Sequence, residues 1–127
     1  MASTALVNLD IEDGEKVVRA LDAAGKSPNV ALWAKLPDYE DWRMVIASEH
    51  LDQNSQFAAY NDINDAIQKA GVPFYRQPSI LLRPMKNPMI EDMRSAYASF
   101  EETYGMRLGG RTFGDKFLED AFVYRIR

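Results

Sequence analysis

The stretch VIASEHLD (residues 45–52) ends an apolar run on Glu49, His50 and Asp52, setting the one histidine of the chain among carboxylates. Histidine is the side chain whose ordinary pKa lies nearest neutrality, which makes His50 the natural general base, with Glu49 or Asp52 orienting its ring. A base needs a substrate held beside it. Arg83, Arg111 and Lys116 are the fixed positive charges suited to gripping a phosphate or carboxylate, the arginines through their planar forks. The competing reading is a strand that turns polar on reaching water, just ahead of a helix cap. One imidazole is also thin material for a metal site, which takes three or more converging ligands, so no metal is expected. No second element of a catalytic constellation accompanies His50, and the structural reading of this stretch outweighs the catalytic one.

Other patterns are weaker. LGGRTFGDK (residues 108–116) could cradle an anion with its glycine amides, helped by Arg111, Thr112 and Lys116. It matches neither the P-loop nor the dinucleotide fingerprint, and a strand rather than a helix is expected after it, so a hairpin loop is the better reading. Ser48 lies two residues from His50, too close along an extended chain for an assumed triad, and no G-x-S-x-G occurs. Asp62 with Asp65, and Glu91 with Asp92, read as solvated helix surface. Met85, Met89 and Met93 read as core filler. Phe74 and Tyr75 beside Arg76 and Arg83 could stack single-stranded bases, but the acidic total disfavours nucleic acid. Trp33 and Trp42, near each other across a hairpin, read as packing.

The elements that must position these residues follow from periodicity. Asp10 is placed to cap a first helix over residues 11–24, with Val17, Val18 and Leu21 on its apolar stripe and Gly25 at its stop. VALWAKL (30–36) and WRMVIAS (42–48) alternate with period two and are joined by the turn residues PDYED, predicting an antiparallel hairpin. Phe57, Tyr60, Ile63 and Ile67 predict a second helix over 56–70, capped by Asn54 or Ser55 and closed by Gly71. SILLR between Pro78 and Pro84 predicts a third strand, and a long crossover makes one strand pair parallel. Asn87-Pro88 opens a third helix, expected to run through residues 88–104 with Met89, Met93, Phe100 and Tyr104 buried. Residues 106–108 and 117–127 are expected as strands, with Phe122, Tyr124 and Ile126 on one side of the last. The order is α-β-β-α-β-α-β-β. It predicts an α+β fold: a mainly antiparallel sheet of four to five strands with three helices packed on one face, in a single domain over 1–127, residues 1–9 forming a flexible lead.

Composition bounds the function. A chain of 127 residues with 46% hydrophobic and 27% charged residues can bury a core unaided, and without cysteine it has no disulfide, zinc-thiolate or thiol chemistry, which suits a reducing cytoplasm. The opening residues lack a signal-peptide pattern, and no run reaches the roughly 20 apolar residues of a membrane span. The net charge of −4 is uneven: residues 1–75 carry 6 Lys/Arg against 12 Asp/Glu, while residues 76–127 carry 9 against 7. An anionic ligand would meet the second part more readily.

ALWAKLPDYEDWRMVIAS and EDAFVYRIR, about a fifth of the chain, resemble a frame found in short bacterial proteins of uncharacterised function. The resemblance implies no activity, cofactor or site residue. The expectation is therefore a non-enzymatic binding or protein-interaction module needing no cofactor and forming a homodimer, since FVYRIR is a strand of apolar residues alternating with arginines and a small sheet with an open edge invites pairing. The alternative is a small enzyme or anion-binding protein using His50 and the C-terminal arginines.

Overall fold

The computed structural model describes residues 5–127. Part of the expected flexible lead, residues 1–4, lies outside them; of the rest, residues 8 and 9 are already helical. Helix α1 (Asn8–Ala23) is followed by the hairpin β1 (Val30–Lys35) and β2 (Arg43–Ala47), whose antiparallel register runs from Val30 opposite Ala47 to Ala34 opposite Arg43. Helix α2 (Gln56–Lys69) and a 3₁₀ turn (Phe74–Arg76) lead to β3 (Ile80–Leu82), which joins β2 in parallel. Helix α3 (Pro88–Tyr97) precedes the small hairpin β4 (Arg111–Phe113) and β5 (Lys116–Leu118). Strand β6 (Asp120–Ile126) then completes the main sheet beside β1, antiparallel. The fold is α+β in the expected order, and the four-stranded sheet β3-β2-β1-β6 is mixed rather than mainly antiparallel, with β4-β5 as a separate two-stranded sheet.

Local chemistry sets the helix ends. The carboxylate of Asp10 accepts from the Val7 amide at 3.1 Å, so Asp10 reaches back from the first turn and α1 starts ahead of the expected cap. Ser55 caps α2 by accepting from the Ala58 amide, and Asn87 caps α3 by accepting from Met89 ahead of Pro88. Helix α3 stops well short of residue 104. Phe100 and Tyr104 share its spacing yet lie about half exposed, while Thr103 is buried and its hydroxyl accepts from the Ile126 amide. The chain leaves the helix to reach the sheet edge.

The helices do not share one face. Val30, Leu32 and Ala34 meet Met89, Ile90 and Met93 of α3 and Phe113 and Leu118 of the small hairpin; Ala31, Trp33, Met44 and Ile46 meet Val17 and Leu21 of α1 and Ile63 and Ile67 of α2. A strand that is apolar on both its faces needs cover on both, and α3 supplies the second.

Strand β6 departs from expectation in two ways. A bulge opposite Ala31 and Leu32 puts one extra residue in β6, so Ile126 lies with Val123 on the α3 side, not with Phe122 and Tyr124 as strict alternation would have it. The bulge lets two successive side chains reach α1: the Tyr124 hydroxyl donates to the Ile11 carbonyl at 2.6 Å, and Arg125 pairs with Asp22 at 2.8 Å. The outer edge of β6 is also covered. Gly105 donates to Val123, Val123 donates to Met106, and Arg107 bridges Phe122, so residues 106–108 form a single bridge in place of the expected strand. The outer edge of β6 is therefore met by residues of the same chain.

Candidate ligand-binding cleft

The polar cluster at residues 48–52 is a turn built around Ser48. Fully buried, Ser48 donates its hydroxyl to the Ser27 carbonyl at 2.7 Å and accepts from the His50 amide, while its carbonyl accepts from the amides of Leu51 and Asp52. Leu51 is buried in the core that the sheet shares with α1 and α2. Asp52 accepts from the Met85 amide at 2.9 Å and lies beside a hollow of about 300 Å³ formed with Asn54, Gln56, Leu82 and Pro84. The side chain of His50 is about half exposed, with Nε2 4.0 Å from the Glu49 carboxylate, and it lines neither that hollow nor the larger cleft at the opposite end of β2.

The expected anion grip is dispersed among internal partners. Arg111 donates to the Tyr97 hydroxyl and lies over the Phe113 ring at 4.9 Å. Lys116 pairs with Asp38 at 3.0 Å, which holds its ammonium pKa above the ordinary value. Arg83 donates to the Leu82 carbonyl and lies near enough to Lys116 for their charges to oppose one another. Arg107 pairs with Asp120 and Arg125 with Asp22, whose carboxyl is held below its usual range by that guanidinium. Among the described residues, no group of three or more histidines and carboxylates is placed to hold a metal.

A cleft of about 340 Å³ opens at the other end of β2, between the start of α1, the hairpin and the 3₁₀ turn. Trp33 and Trp42, the only tryptophans of the chain, both line it, together with Asp10, Asp13, Asp41 and Arg76. Trp33 sits on the α1 side of β1, and its indole N–H donates to both the Asp10 carbonyl (3.2 Å) and the Tyr124 hydroxyl (3.0 Å). Gly14 makes this possible, because a Cβ there would fall 2.2 Å from the Tyr124 oxygen and 2.9 Å from the Trp33 nitrogen. Burial pushes the Tyr124 phenol well above its ordinary pKa, keeping it a neutral donor to Ile11.

The wall opposite is the segment YRQPS (residues 75–79), in which the 3₁₀ turn projects Arg76 back onto α1. Its guanidinium grips the buried Asp13 carboxylate through two bonds of 3.0 and 2.9 Å, and this raises the Arg76 pKa. Asp10 is engaged with the Val7 amide; Asp41 stands exposed beside Trp42. Three aspartates line the cleft with one arginine, itself already paired. The partial positive charge at the start of α1 offsets only about half of one of them. The cleft is aromatic and acidic, suited to an organic cation that stacks on indole while its charge meets carboxylate.

Sequence reasoning placed Trp33 and Trp42 as packing residues and weighed Phe74, Tyr75 and Arg76 for base stacking; it did not bring them together. The signal available was FYR framed by Pro73 and Pro78, with Asp10 and Asp13 one helical turn apart on α1. No protein-family model, no curated protein and no solved structure matches the chain. Among the described residues no helix is long and apolar enough to cross a membrane.

Proposed function

We propose that this protein is a non-enzymatic binding module whose cleft between α1 and the 3₁₀ turn takes a cationic ligand. The observation that carries this reading is the convergence on one cleft of both tryptophans and three aspartates, with Arg76 as the only lining cation among the described residues and Asp13 already holding it. A cation is favoured over the anion expected from the C-terminal charge, since Arg107, Lys116 and Arg125 each have a carboxylate partner.

The two indoles make the test direct, because the whole tryptophan emission of the chain reports on this cleft. Titration with acetyl-arginine amide is expected to shift that emission saturably, whereas phosphate and acetate leave it unchanged. Asp41→Asn should weaken the arginine amide by about fivefold, the worth of one charge-assisted contact near the surface. An emission that no cation moves, or that phosphate moves at lower concentration, would overturn the reading.

A further inference from the structure

The cleft opens onto a surface that a small cation inside it would leave wet. Tyr75 stands at its mouth 84% exposed, and Phe74, the preceding residue of the same turn, is 88% exposed. These are the two most exposed large apolar side chains among the described residues, and Leu9 of α1, on the opposite wall, is 48% exposed. Grouped apolar side chains of this kind beside a polar cleft mark a surface that another molecule covers. The same rim is acidic: Asp10 and Asp41 line the cleft, and the charge of Glu12 reaches the Arg76 guanidinium.

Resting on the reading of the cleft as a cation site, we propose that its occupant is a basic segment of another protein. One arginine or lysine side chain enters the cleft, and apolar side chains flanking it in that segment pack on Phe74, Tyr75 and Leu9. A free polyamine would match the carboxylates but leave the aromatic rim in water; a nucleic acid or an anionic lipid surface would meet like charge. A peptide alone supplies both halves. It is gripped by side chains rather than by adding a strand, for the neighbouring edge of the sheet is blunted. β3 is flanked by Pro78 and Pro84, and the Leu82 amide donates to the Tyr60 hydroxyl at 2.9 Å.

The test is selection of a random dodecapeptide library displayed on phage against the full chain, with a Phe74→Ala/Tyr75→Ala double variant as counter-selection. Both side chains stand clear of the cores, so the variant keeps the fold. Enriched peptides are expected to carry Arg or Lys beside Leu, Ile or Phe and to shift the tryptophan emission. They should bind about tenfold or more tightly than acetyl-arginine amide, as burial of two aromatic anchors implies. The double variant should lose that advantage, and Phe74→Ala alone, at a residue outside the cleft lining, should lose part of it while keeping its affinity for the arginine amide. If the arginine amide binds but selected peptides gain nothing from Phe74 and Tyr75, the peptide proposal falls and the cation reading stands. If the enriched peptides are acidic, or if neither probe binds, both fall.

Discussion

Strand β2 carries a polar cluster at each end, and the two are opposites. At its C-terminal end, the turn at residues 48–52 has the residue types of catalysis, a histidine between carboxylates. There Ser48 organises the backbone, Leu51 anchors it, and Asp52 holds the Met85 amide. At its N-terminal end, the cleft has residue types that read one by one as packing and surface, yet they face a common space. Residue type nominates chemistry; convergence on an accessible concavity is what makes it usable.

That contrast breaks if the cleft proves indifferent to its supports. Gly14→Ala, which in an ordinary helix would stabilise, should here cost about 2–3 kcal/mol in urea unfolding, because its Cβ collides with Tyr124 and Trp33. It should also shift the tryptophan emission before any ligand is added. Tyr124→Phe should cost about 1–2 kcal/mol, since the Ile11 carbonyl loses its side-chain donor and the Trp33 indole one of its two acceptors.

The same variant has a pH signature. The unfolded chain releases the Tyr124 proton near the ordinary phenol value of 10.0, whereas the folded chain holds it to higher pH. Stability from this group is therefore complete below that value and is lost as pH rises beyond it; Lys116, whose pKa is also raised, adds to the decline. Unfolding midpoints measured across this alkaline range should fall less steeply for Tyr124→Phe than for the parent chain.

At the other end of β2 the effects should be smaller and confined to stability. Ser48→Ala removes a buried hydroxyl bridging Ser27 and His50 and should cost about 1 kcal/mol, leaving the tryptophan emission alone. His50→Ala should stay within about 0.5 kcal/mol of the parent chain and bind arginine amide as before. A His50 variant that lost ligand binding would reverse the ranking of the two ends.

Legibility in the sequence divides along the range of the interactions. The hairpin and the caps at Ser55 and Asn87 are written in neighbouring residues, and the parallel pairing of β3 in the length of its crossover, and the structure has them. The early end of α3 is not, because Phe100 and Tyr104 keep helical spacing while Thr103 is drawn to β6 by a bond across the fold. Nor is the bulge: FVYRIR alternates without fault, and only pairing with β1 reveals the extra residue. That α3 covers the second face could be suspected from VALWA, apolar at every position, whereas the side it chose needed tertiary contacts. The cleft was least legible, its walls coming from four separate stretches.

The position of β6 also bears on how the chain is made. β1 lies inside the sheet, but its second neighbour is not synthesised until residues 120–126 emerge. Until then the nascent chain holds a finished hairpin with one long apolar edge, VALWA, unpaired, and no local contact can close it. That apolar edge is therefore the last part of the main sheet to be covered as the chain is made. Folding of the whole sheet should wait on a loop closure spanning most of the sequence, while the hairpin itself forms early.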